Sequence, residues 1–261
     1  MSLPFFSVVL PTHVDNAYLD MAVRSILDQE YTQYELLLVV NGPQHMTITD
    51  ALRQRYGQHP QVQVLSTPMC KLPFALNLGI HAARGNYVVR MDGDDIALPQ
   101  RLSVLAEHLS QHPALDVLGS NYQIIDEHGT FGAVSRQLAG NAALRSRLPF
   151  KCELAHPTLC IRRSLLLAVG GYMYGVASED YDLWLRLLRH QPAVQFDNLP
   201  DVLLQYRFHS GQATSKARIG EFVAHDIGLR LREWLLTGKP MFLLGIARSM
   251  VQFVVRKLSK R

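Results

Sequence analysis

The chain contains 261 residues, of which 48% are hydrophobic and 18% are charged, and its formal net charge is +4. This composition excludes an intrinsically disordered protein and allows one substantial hydrophobic core. Three cysteines at no metal-ligand spacing are typical of reduced thiols in a cytosolic protein, and no stretch has the pattern of a signal peptide or a membrane span.

The first half of the chain alternates between predicted strands and predicted helices. Short β-branched apolar runs indicate buried strands, and apolar residues at helical spacing indicate the helices between them. In chain order we predict a strand at 5–10, a helix to residue 27 capped by Asp15 or Asn16, a strand at 35–40, a helix at 47–56, a strand at 61–65, a helix at 74–83 with Gly85 as its C-cap, a strand at 87–91, a helix from Pro99 to about 112, and a strand at 117–125. This alternation predicts an α/β fold with a mostly parallel sheet flanked by helices.

The second half is less regular. We predict a helix at 141–148, a short strand at 159–161, a turn at Gly170-Gly171, a helix at 179–190 capped by Ser178, a strand at 202–208, and helical structure from residue 219 onward. The sequence contains no internal repeat and no low-complexity linker. We therefore expect one main domain followed by a helical C-terminal extension.

Three carboxylates follow the predicted strand at 87–91. Asp92, Asp94 and Asp95 are so close that their charges repel one another unless a cation lies among them. In open α/β sheets ligands bind where strands end, and Mg²⁺ or Mn²⁺ prefers carboxylate oxygens together with substrate phosphates. The cluster therefore indicates a metal–phosphate site, although a solvated aspartate-rich turn explains it equally well on local grounds.

A second group of acids begins the predicted helix at 179–190. Glu179 and Asp180 lie in its first turn, where the helix dipole favours carboxylates whatever their role. The functional alternative is that one of them projects into the metal site as a general base, ionised at neutral pH. His209 offers a nitrogen to a metal or a donor to a phosphate, but a lone histidine is more often structural.

Polar groups also follow the first two predicted strands. Pro11, Thr12 and His13 follow the first strand, and Asn41 follows the second, where its amide is a candidate for contact with a nucleotide base. Asn-Gly is equally a turn signal in any loop. Lys71, in the loop before the 74–83 helix, is a candidate for contact with a diphosphate, and simple solvation is the alternative.

Taken together, these segments resemble the family 2 glycosyltransferases, which have the GT-A fold. The resemblance covers about residues 5–210, and the ordered set of segments is specific although each one alone is weak. The matching segments are 7–12, 25–31, 77–80, 83–87, the D-x-D motif at 91–95 followed by Pro99 and Arg101-Leu102, the segment 170–172, and the E-D motif at 179–186.

The resemblance implies roles for the candidate residues. Asp92 and Asp94 correspond to the D-x-D acids, with Asp94 in direct contact with Mn²⁺ or Mg²⁺, and His209 lies near the diphosphate as a further ligand. Asp95 holds the ion through water or orients the donor sugar. Asp180 is the catalytic base, and the resemblance also implies inversion at the anomeric carbon. The residues expected to bind the nucleotide-sugar donor are Pro11, Thr12, His13, Asn41, Lys71, Asp92, Asp95 and Glu179.

The implied reaction is transfer of a sugar from a nucleoside-diphosphate sugar, expected to be a UDP-sugar, to a saccharide in bacterial O-antigen, capsule or exopolysaccharide biosynthesis. Residues 1–215 would form the GT-A domain, with the donor half at about 1–115 and the acceptor half at about 116–215. Val40-Asn41 and Leu76 depart from the family's usual aspartate pair and arginine, which leaves the base and donor open. The Q-x-x-R-W motif of processive synthases is absent, which favours addition of a single sugar.

The C-terminal region 216–261 combines apolar residues with an excess of cations. From Arg230 onward eight basic residues face a single acid, Glu233. A basic amphipathic helix of this kind predicts peripheral attachment to the inner face of the cytoplasmic membrane and suits a lipid-linked acceptor. The alternative is a helix that packs on the domain and ends in solvated cations.

Other classes of protein fit the sequence less well. A sugar nucleotidyltransferase would carry a glycine-rich basic loop after the first strand, and residues 11–15 have no such loop. A non-catalytic nucleotide-sugar-binding module would not need Asp180. Nucleic-acid binding is disfavoured because the cations cluster in an apolar helix without interleaved stacking aromatics.

Overall fold

The structure is a computed structural model that describes residues 3–173, 177–209 and 219–258, and its central feature is a nine-stranded β-sheet. The strands are β1 (Phe6–Thr12), β2 (Tyr34–Asn41), β3 (Val62–Thr67), β4 (Tyr87–Arg90), β5 (Ile96–Ala97), β6 (Val117–Ile125), β7 (Phe131–Val134), β8 (Cys160–Arg162) and β9 (Phe196–Arg207). The helices are α1 (Ala17–Leu27), α2 (His45–Tyr56), α3 (Leu72–Ala82), α4 (Arg101–Gln111), α5 (Asn141–Arg147), α6 (Arg163–Ala168), α7 (Glu179–His190), α8 (Ile219–Thr237) and α9 (Met241–Leu258), with one 3-10 turn at His156–Thr158.

The sheet has a parallel half and a mixed half. Its strand order is β3-β2-β1-β4-β8-β6-β9-β5, and β7 pairs with β6 outside this path. The strands β3, β2, β1 and β4 are parallel, so their carboxyl ends meet at one edge. The strands β8, β5 and β7 run antiparallel to their neighbours, while β9 runs parallel to β6. The predicted mostly parallel α/β architecture is confirmed.

Two hydrophobic layers cover the two faces of the sheet. Successive side chains of a strand point to opposite faces, so Val8 and Leu10 belong to the layer shared with α1 and α4. Val9 and Leu37 belong to the layer shared with α3 and α7. Near-continuous burial of β1 and β2 follows from this coverage on both sides.

Local signals at the ends of the early helices have mixed outcomes. Asn16 caps α1, and its side chain accepts a hydrogen bond from the Leu19 backbone N–H at 3.0 Å. The prediction that Gly85 is the C-cap of the next apolar helix is wrong, because α3 ends at Ala82 with Ala83 as its cap. Gly85 instead lies against β1, where an added Cβ would be 2.6 Å from the Ser7 backbone nitrogen.

Several elements, most of them in the second half of the chain, differ from the predictions. The short strands β5 and β7 and the helix α6 were not predicted, and β9 begins at Phe196 rather than at residue 202. The predicted helical C-terminus is two helices, separated at Gly238, whose φ is +66°. Leu159, predicted to begin a strand, precedes β8. The proposed domain boundary at residue 215 lies outside the described residues.

The C-terminal helices pack on the main domain. Arg189 of α7 donates to Glu233 of α8 at 2.6 Å, and Arg232 of α8 donates to Asp182 of α7 at 2.6 Å. Phe242 at the start of α9 is only 6% exposed and belongs to the layer that contains α7. Within the described residues no helix has the length and apolar character needed to cross a bilayer.

Gly85 gives a prediction about stability. The Gly85→Ala substitution should lower the free energy of unfolding by about 1–3 kcal/mol, because the new methyl group would overlap the backbone of β1. Gly228→Ala is the matched control, since its Cβ meets nothing within 4 Å in α8 and alanine favours a helix. Urea denaturation midpoints measure both; equal midpoints for the two variants would contradict the close approach.

Candidate active site

A cleft of about 1040 Å³ opens at the edge where the parallel strands β1, β2 and β4 end. Its volume lies at the upper end of the range for small-molecule sites, so it has room for more than one small substrate. All predicted site residues except Asp95 line this cleft, namely Pro11, Thr12, His13, Asn41, Lys71, Asp92, Asp94, Glu179, Asp180 and His209. Residues distant in sequence, at 92–94 and 180, thus share one cavity.

The three aspartates after β4 form a compact cluster. One carboxylate oxygen from each of Asp92, Asp94 and Asp95 can be chosen so that all lie within 4.8 Å of one another. The side chains of Asp92 and Asp94 are 28% and 29% exposed, whereas Asp95 is fully buried. Two carboxylates therefore face the cleft, and the third lies beneath them.

The strand pair β5–β9 brings compensating groups to this cluster. Arg207, at the end of β9, donates its backbone N–H to Asp95 Oδ1 at 2.9 Å and its Nε to the Asp94 carbonyl at 2.9 Å. His209 Nε2 lies 3.0 Å from Asp94 Oδ2, and its ring packs against Tyr18. Ser210 and Gly211, which follow His209 in the sequence, lie outside the described residues.

Burial makes the cluster electrostatically unfavourable when all three acids are ionised. Burial, reinforced by the charges of Asp92 and Asp94, raises the pKa of Asp95 well above its usual range. Burial also raises the pKa of Asp92, while the ion pair with the buried Arg90 opposes this shift. Asp95 Oδ2 is buried and has no hydrogen-bond partner among the described residues. An all-carboxylate oxygen set of this kind suits a hard divalent cation.

Asp180 lies in the first turn of α7 and is half-buried in the cleft. Its Oδ1 accepts a hydrogen bond from the Tyr181 backbone N–H at 2.7 Å. Burial raises the pKa of Asp180 to about 7, and the neighbouring charge of Glu179 adds to the shift. A carboxylate with a pKa near neutrality is able to accept and release a proton at physiological pH.

Ser178 occupies the N-cap position of α7, as predicted, but it does not cap the helix through its side chain. Ser178 adopts a left-handed conformation with a φ of 60°, and its side chain makes no capping hydrogen bond. Its hydroxyl instead donates to Asp226 Oδ1 of α8 at 2.8 Å. The residue that precedes Glu179 and Asp180 is therefore tied to the C-terminal extension.

Sequence reasoning missed several residues that line the cleft. Arg90 is buried, pairs with Asp92, and has no hydrogen-bond partner at Nε among the described residues. His156 is also buried and lies 2.7 Å from the Tyr172 hydroxyl; burial lowers its pKa well below the usual range, so the ring is neutral. Arg90, the last residue of β4, stands two positions before Asp92, so the sequence already offered it as a charge partner for the acids. Nothing in the sequence indicated that His156 would reach the same edge.

The C-terminal extension supplies a further part of the wall. Phe222 and Asp226 of α8 both line the cleft. Their spacing of four residues places them on one helix face, which is the only sequence signal that could have linked them. The extension is therefore part of the cavity and not simply an appendage.

Solved structures with the same overall fold include two proteins with bound nucleotide sugars. The structure of S. aureus TarS 1-349 in complex with UDP-GlcNAc has a TM-score of 0.67 at 17% identity, covering 94% of this chain and 80% of TarS 1-349. The mannosyltransferase PcManGT from Pyrobaculum calidifontis, in complex with GDP-Man and Mn²⁺, has a TM-score of 0.64 at 16% identity, covering 97% of this chain and 76% of PcManGT. At these identities the likeness shows the fold, which is GT-A.

Sequence comparison identifies the family. The profile of Glycosyl transferase family 2 matches residues 7–169. The Escherichia coli O-antigen biosynthesis glycosyltransferase WbnJ is 33% identical over 228 residues, which cover 87% of this chain and 89% of WbnJ. The Erwinia amylovora amylovoran biosynthesis glycosyltransferase AmsE is 27% identical over 242 residues, which cover 93% of this chain and 88% of AmsE. The chain therefore belongs to glycosyl transferase family 2 and is a glycosyltransferase with the GT-A fold.

Proposed function

We propose that this glycosyltransferase moves one sugar from a nucleoside-diphosphate sugar to a saccharide hydroxyl, with inversion and with the help of a divalent cation. The observation that supports this most strongly is that the aspartates after β4 and the acid Asp180 line a single cleft. The cleft has an excess of acids, so a diphosphate would be repelled unless a cation accompanied it.

Asp92, Asp94 and Asp95 would hold the cation, and His209 would complete the set beside Asp94. Mn²⁺ or Mg²⁺ fits their oxygen-rich chemistry. When bound, the cation would offset negative charge that develops on the leaving diphosphate. Mn²⁺ with GDP-Man in the structural neighbour PcManGT supports a divalent cation in this fold.

The strand ends supply the proposed donor site. Pro11 and Thr12 end β1 and His13 follows it, while Asn41 ends β2. Together these residues would enclose the nucleoside. Lys71 lines the same cleft from the start of α3 and would contact the diphosphate, and Glu179 would contact the donor sugar. UDP-GlcNAc in TarS supports a UDP-sugar as the first donor to test.

Asp180 would act as the general base. It accepts the proton of the acceptor hydroxyl as that oxygen bonds to the anomeric carbon, and the bond from this carbon to the diphosphate oxygen breaks on the opposite face. The nucleoside diphosphate leaves with the electron pair, and the transferred sugar has the inverted configuration. The pKa of Asp180 near 7 suits this role, because a base with a pKa near the working pH combines ionisation with proton affinity.

The first prediction concerns the donor and the cation. Incubation with a panel of UDP-, GDP- and dTDP-sugars should release nucleoside diphosphate from at least one donor, and EDTA should abolish that release. Mn²⁺ or Mg²⁺ should restore it, because the Asp92–Asp95 cluster then regains its counter-charge. Full release in excess chelator would contradict the metal dependence, and no release from any donor, with or without a saccharide acceptor, would contradict the proposed transfer reaction.

The second prediction concerns the base. Asp180→Asn should retain donor affinity but reduce transfer by about 10²–10⁴-fold, because no base then removes the proton from the attacking saccharide hydroxyl. In the unchanged enzyme transfer should fall as the pH drops below about 7, since only the deprotonated carboxylate acts as a base.

The isosteric control is Asp50→Asn on the exposed surface of α2, which should transfer at the unchanged rate. Steady-state rates at saturating donor and metal between pH 5 and 9 provide the measurement. Transfer by Asp180→Asn at a rate comparable to that of the control would refute the assignment of the base.

The acceptor and the location belong to the same proposal. The similarity to WbnJ, an O-antigen biosynthesis glycosyltransferase, and to AmsE, an amylovoran biosynthesis glycosyltransferase, supports a role in O-antigen or exopolysaccharide biosynthesis. We propose a lipid-linked saccharide acceptor and a location on the cytoplasmic face of the membrane, with residues 1–215 as the GT-A domain and 216–261 as the attachment region. In this division residues of about 1–115 bind the donor and those of about 116–215 bind the acceptor.

The surface of α9 supports membrane attachment. Although Phe242 is buried, apolar side chains along the rest of the helix remain exposed, namely Leu243, Leu244, Met250, Val251, Val254 and Val255. Leu244, Val251 and Val255 recur at helical spacing and so form one stripe. Interfacial helices of this kind bind by apolar burial together with attraction of cations to anionic lipid, at about 1 kcal/mol per Lys or Arg.

The third prediction tests this stripe. The double substitution Leu244→Glu and Val251→Glu should weaken binding to phosphatidylglycerol vesicles several-fold, because it adds negative charge to exposed apolar positions. Deletion from about residue 240 is a poorer test, since it also removes Phe242 from the core. Phe131→Glu with Val134→Glu on β7 is the matched control, because both residues are exposed and apolar but remote in sequence from α9. Equal flotation of the two double variants would exclude attachment through α9.

A further inference from the structure

The wall that α8 contributes to the cleft is chemically different from the strand ends. Phe222 and Asp226 are separated by one helical turn and present an aromatic ring and a carboxylate to the cavity. The proposed donor residues, by contrast, come from β1, β2, the segment after β4 and the starts of α3 and α7, and none comes from α8. The cleft therefore has a wall that the donor assignment does not use.

Asp226 is held beside the first turn of α7. Ser178, the residue before Glu179, donates its hydroxyl to Asp226 Oδ1 at 2.8 Å. Arg230 Nη2 lies 3.7 Å from Asp226 Oδ2, at the limit of an ion pair. The Asp226 charge also contributes to the raised pKa of Asp180, so the two carboxylates are electrostatic neighbours.

Asp226 retains capacity for a ligand. A carboxylate accepts about four hydrogen bonds, and the described residues supply one from Ser178 and one longer contact from Arg230. Arg230 itself is buried and donates to the carbonyls of Pro149 and Phe150. Phe222 is half-buried, so part of its ring borders the cavity.

We infer that Phe222 and Asp226 form the subsite for the terminal sugar of the acceptor, and that this sugar is uncharged. The inference rests on the proposed transfer reaction, in which the acceptor hydroxyl must reach Asp180. An aromatic ring provides an apolar platform for the C–H face of a sugar ring, and a carboxylate accepts hydrogen bonds from hydroxyls next to the reacting one.

The charge of this wall excludes acidic sugars. Glu179, Asp180 and Asp226 all contribute negative charge near the acceptor position. Among the described cations of the cleft and its wall, Arg90 is paired with Asp92, Lys71 lies at the proposed diphosphate position beside α3, and Arg230 is buried and bound to backbone carbonyls. A hexuronic acid at this position would bring a further carboxylate beside Glu179, Asp180 and Asp226, where the described residues leave no unpaired cation for it, and such repulsion is a common source of specificity.

The test compares paired soluble acceptors with the unmodified enzyme. The probes are p-nitrophenyl glucoside with p-nitrophenyl glucuronide and p-nitrophenyl galactoside with p-nitrophenyl galacturonide, at saturating donor and Mn²⁺. Nucleoside-diphosphate release should give a kcat/KM at least tenfold higher for the neutral member of each accepted pair. Preference for the uronide, or no acceleration by any neutral glycoside above the acceptor-free rate, would overturn the inference.

Variants separate the subsite from a structural role. Asp226→Asn keeps an oxygen for the Ser178 hydrogen bond but removes the charge, so the preference for the neutral sugar should shrink several-fold. Phe222→Ala should raise the acceptor KM about tenfold, and Phe222→Tyr should restore it, while the donor KM stays within twofold. Gly228→Ala, on an open face of the same helix, is the control for α8. If these variants change the KM for the donor and the KM for the acceptor equally, Phe222 and Asp226 have a structural role only, and the inference is overturned.

Failure of the inference is distinguishable from failure of the proposed function. Metal-dependent release of nucleoside diphosphate without any acceptor reports the donor chemistry alone. If that release occurs but the uronides are preferred, only the acceptor subsite is wrong. If no donor is cleaved under any condition, the transfer reaction is wrong and the subsite is rejected with it.

Discussion

The crowding of negative charge at one edge of the sheet is the constraint on which the rest of the site depends. The parallel strands end at one edge of the sheet, where the acids that follow β4 line a cleft. The acids in the first turn of α7 line the same cleft. Arg90 pairs with Asp92, and the Arg207 backbone N–H binds Asp95. These contacts offset part of the repulsion, and the acids that remain uncompensated leave an excess of negative charge in the cleft, on which the proposed cation site and the proposed preference for neutral acceptors both depend.

The sequence was sufficient for the central sheet because its strands are covered on both faces. Continuous apolar runs such as those of β1 and β2 are strong signals, and the order of acids and turns located the cleft edge. Short strands carry little pattern. β5 has only two residues, yet its pairing with β9 brings Arg207 and His209 to the acids. No local rule predicts a contact across more than a hundred residues, so His209 was expected there only through the family resemblance, and the support from Arg207 was not predicted.

Local rules failed where tertiary contacts competed with them. Ser178 looked like a helix cap, but its hydroxyl binds Asp226 instead. Gly85 looked like a helix terminator, but the close approach of β1 explains the absence of a side chain there. In both places a distant part of the chain determines the residue's role. Asp92, Asp94 and Asp95 were predictable as site residues, because three carboxylates within four residues directly after an apolar strand form a rare pattern.

The helix α8 connects the cleft to the C-terminal helix α9. One face borders the reaction cavity through Phe222 and Asp226, and the ion pairs of Arg232 with Asp182 and of Glu233 with Arg189 fasten the helix to α7. Its continuation α9 carries the exposed apolar stripe. If that stripe lies on a bilayer, the rigid connection fixes the height of the reacting hydroxyl above the lipid. The enzyme would then act as a molecular ruler, selecting acceptors by how many sugars separate the lipid anchor from the growing end.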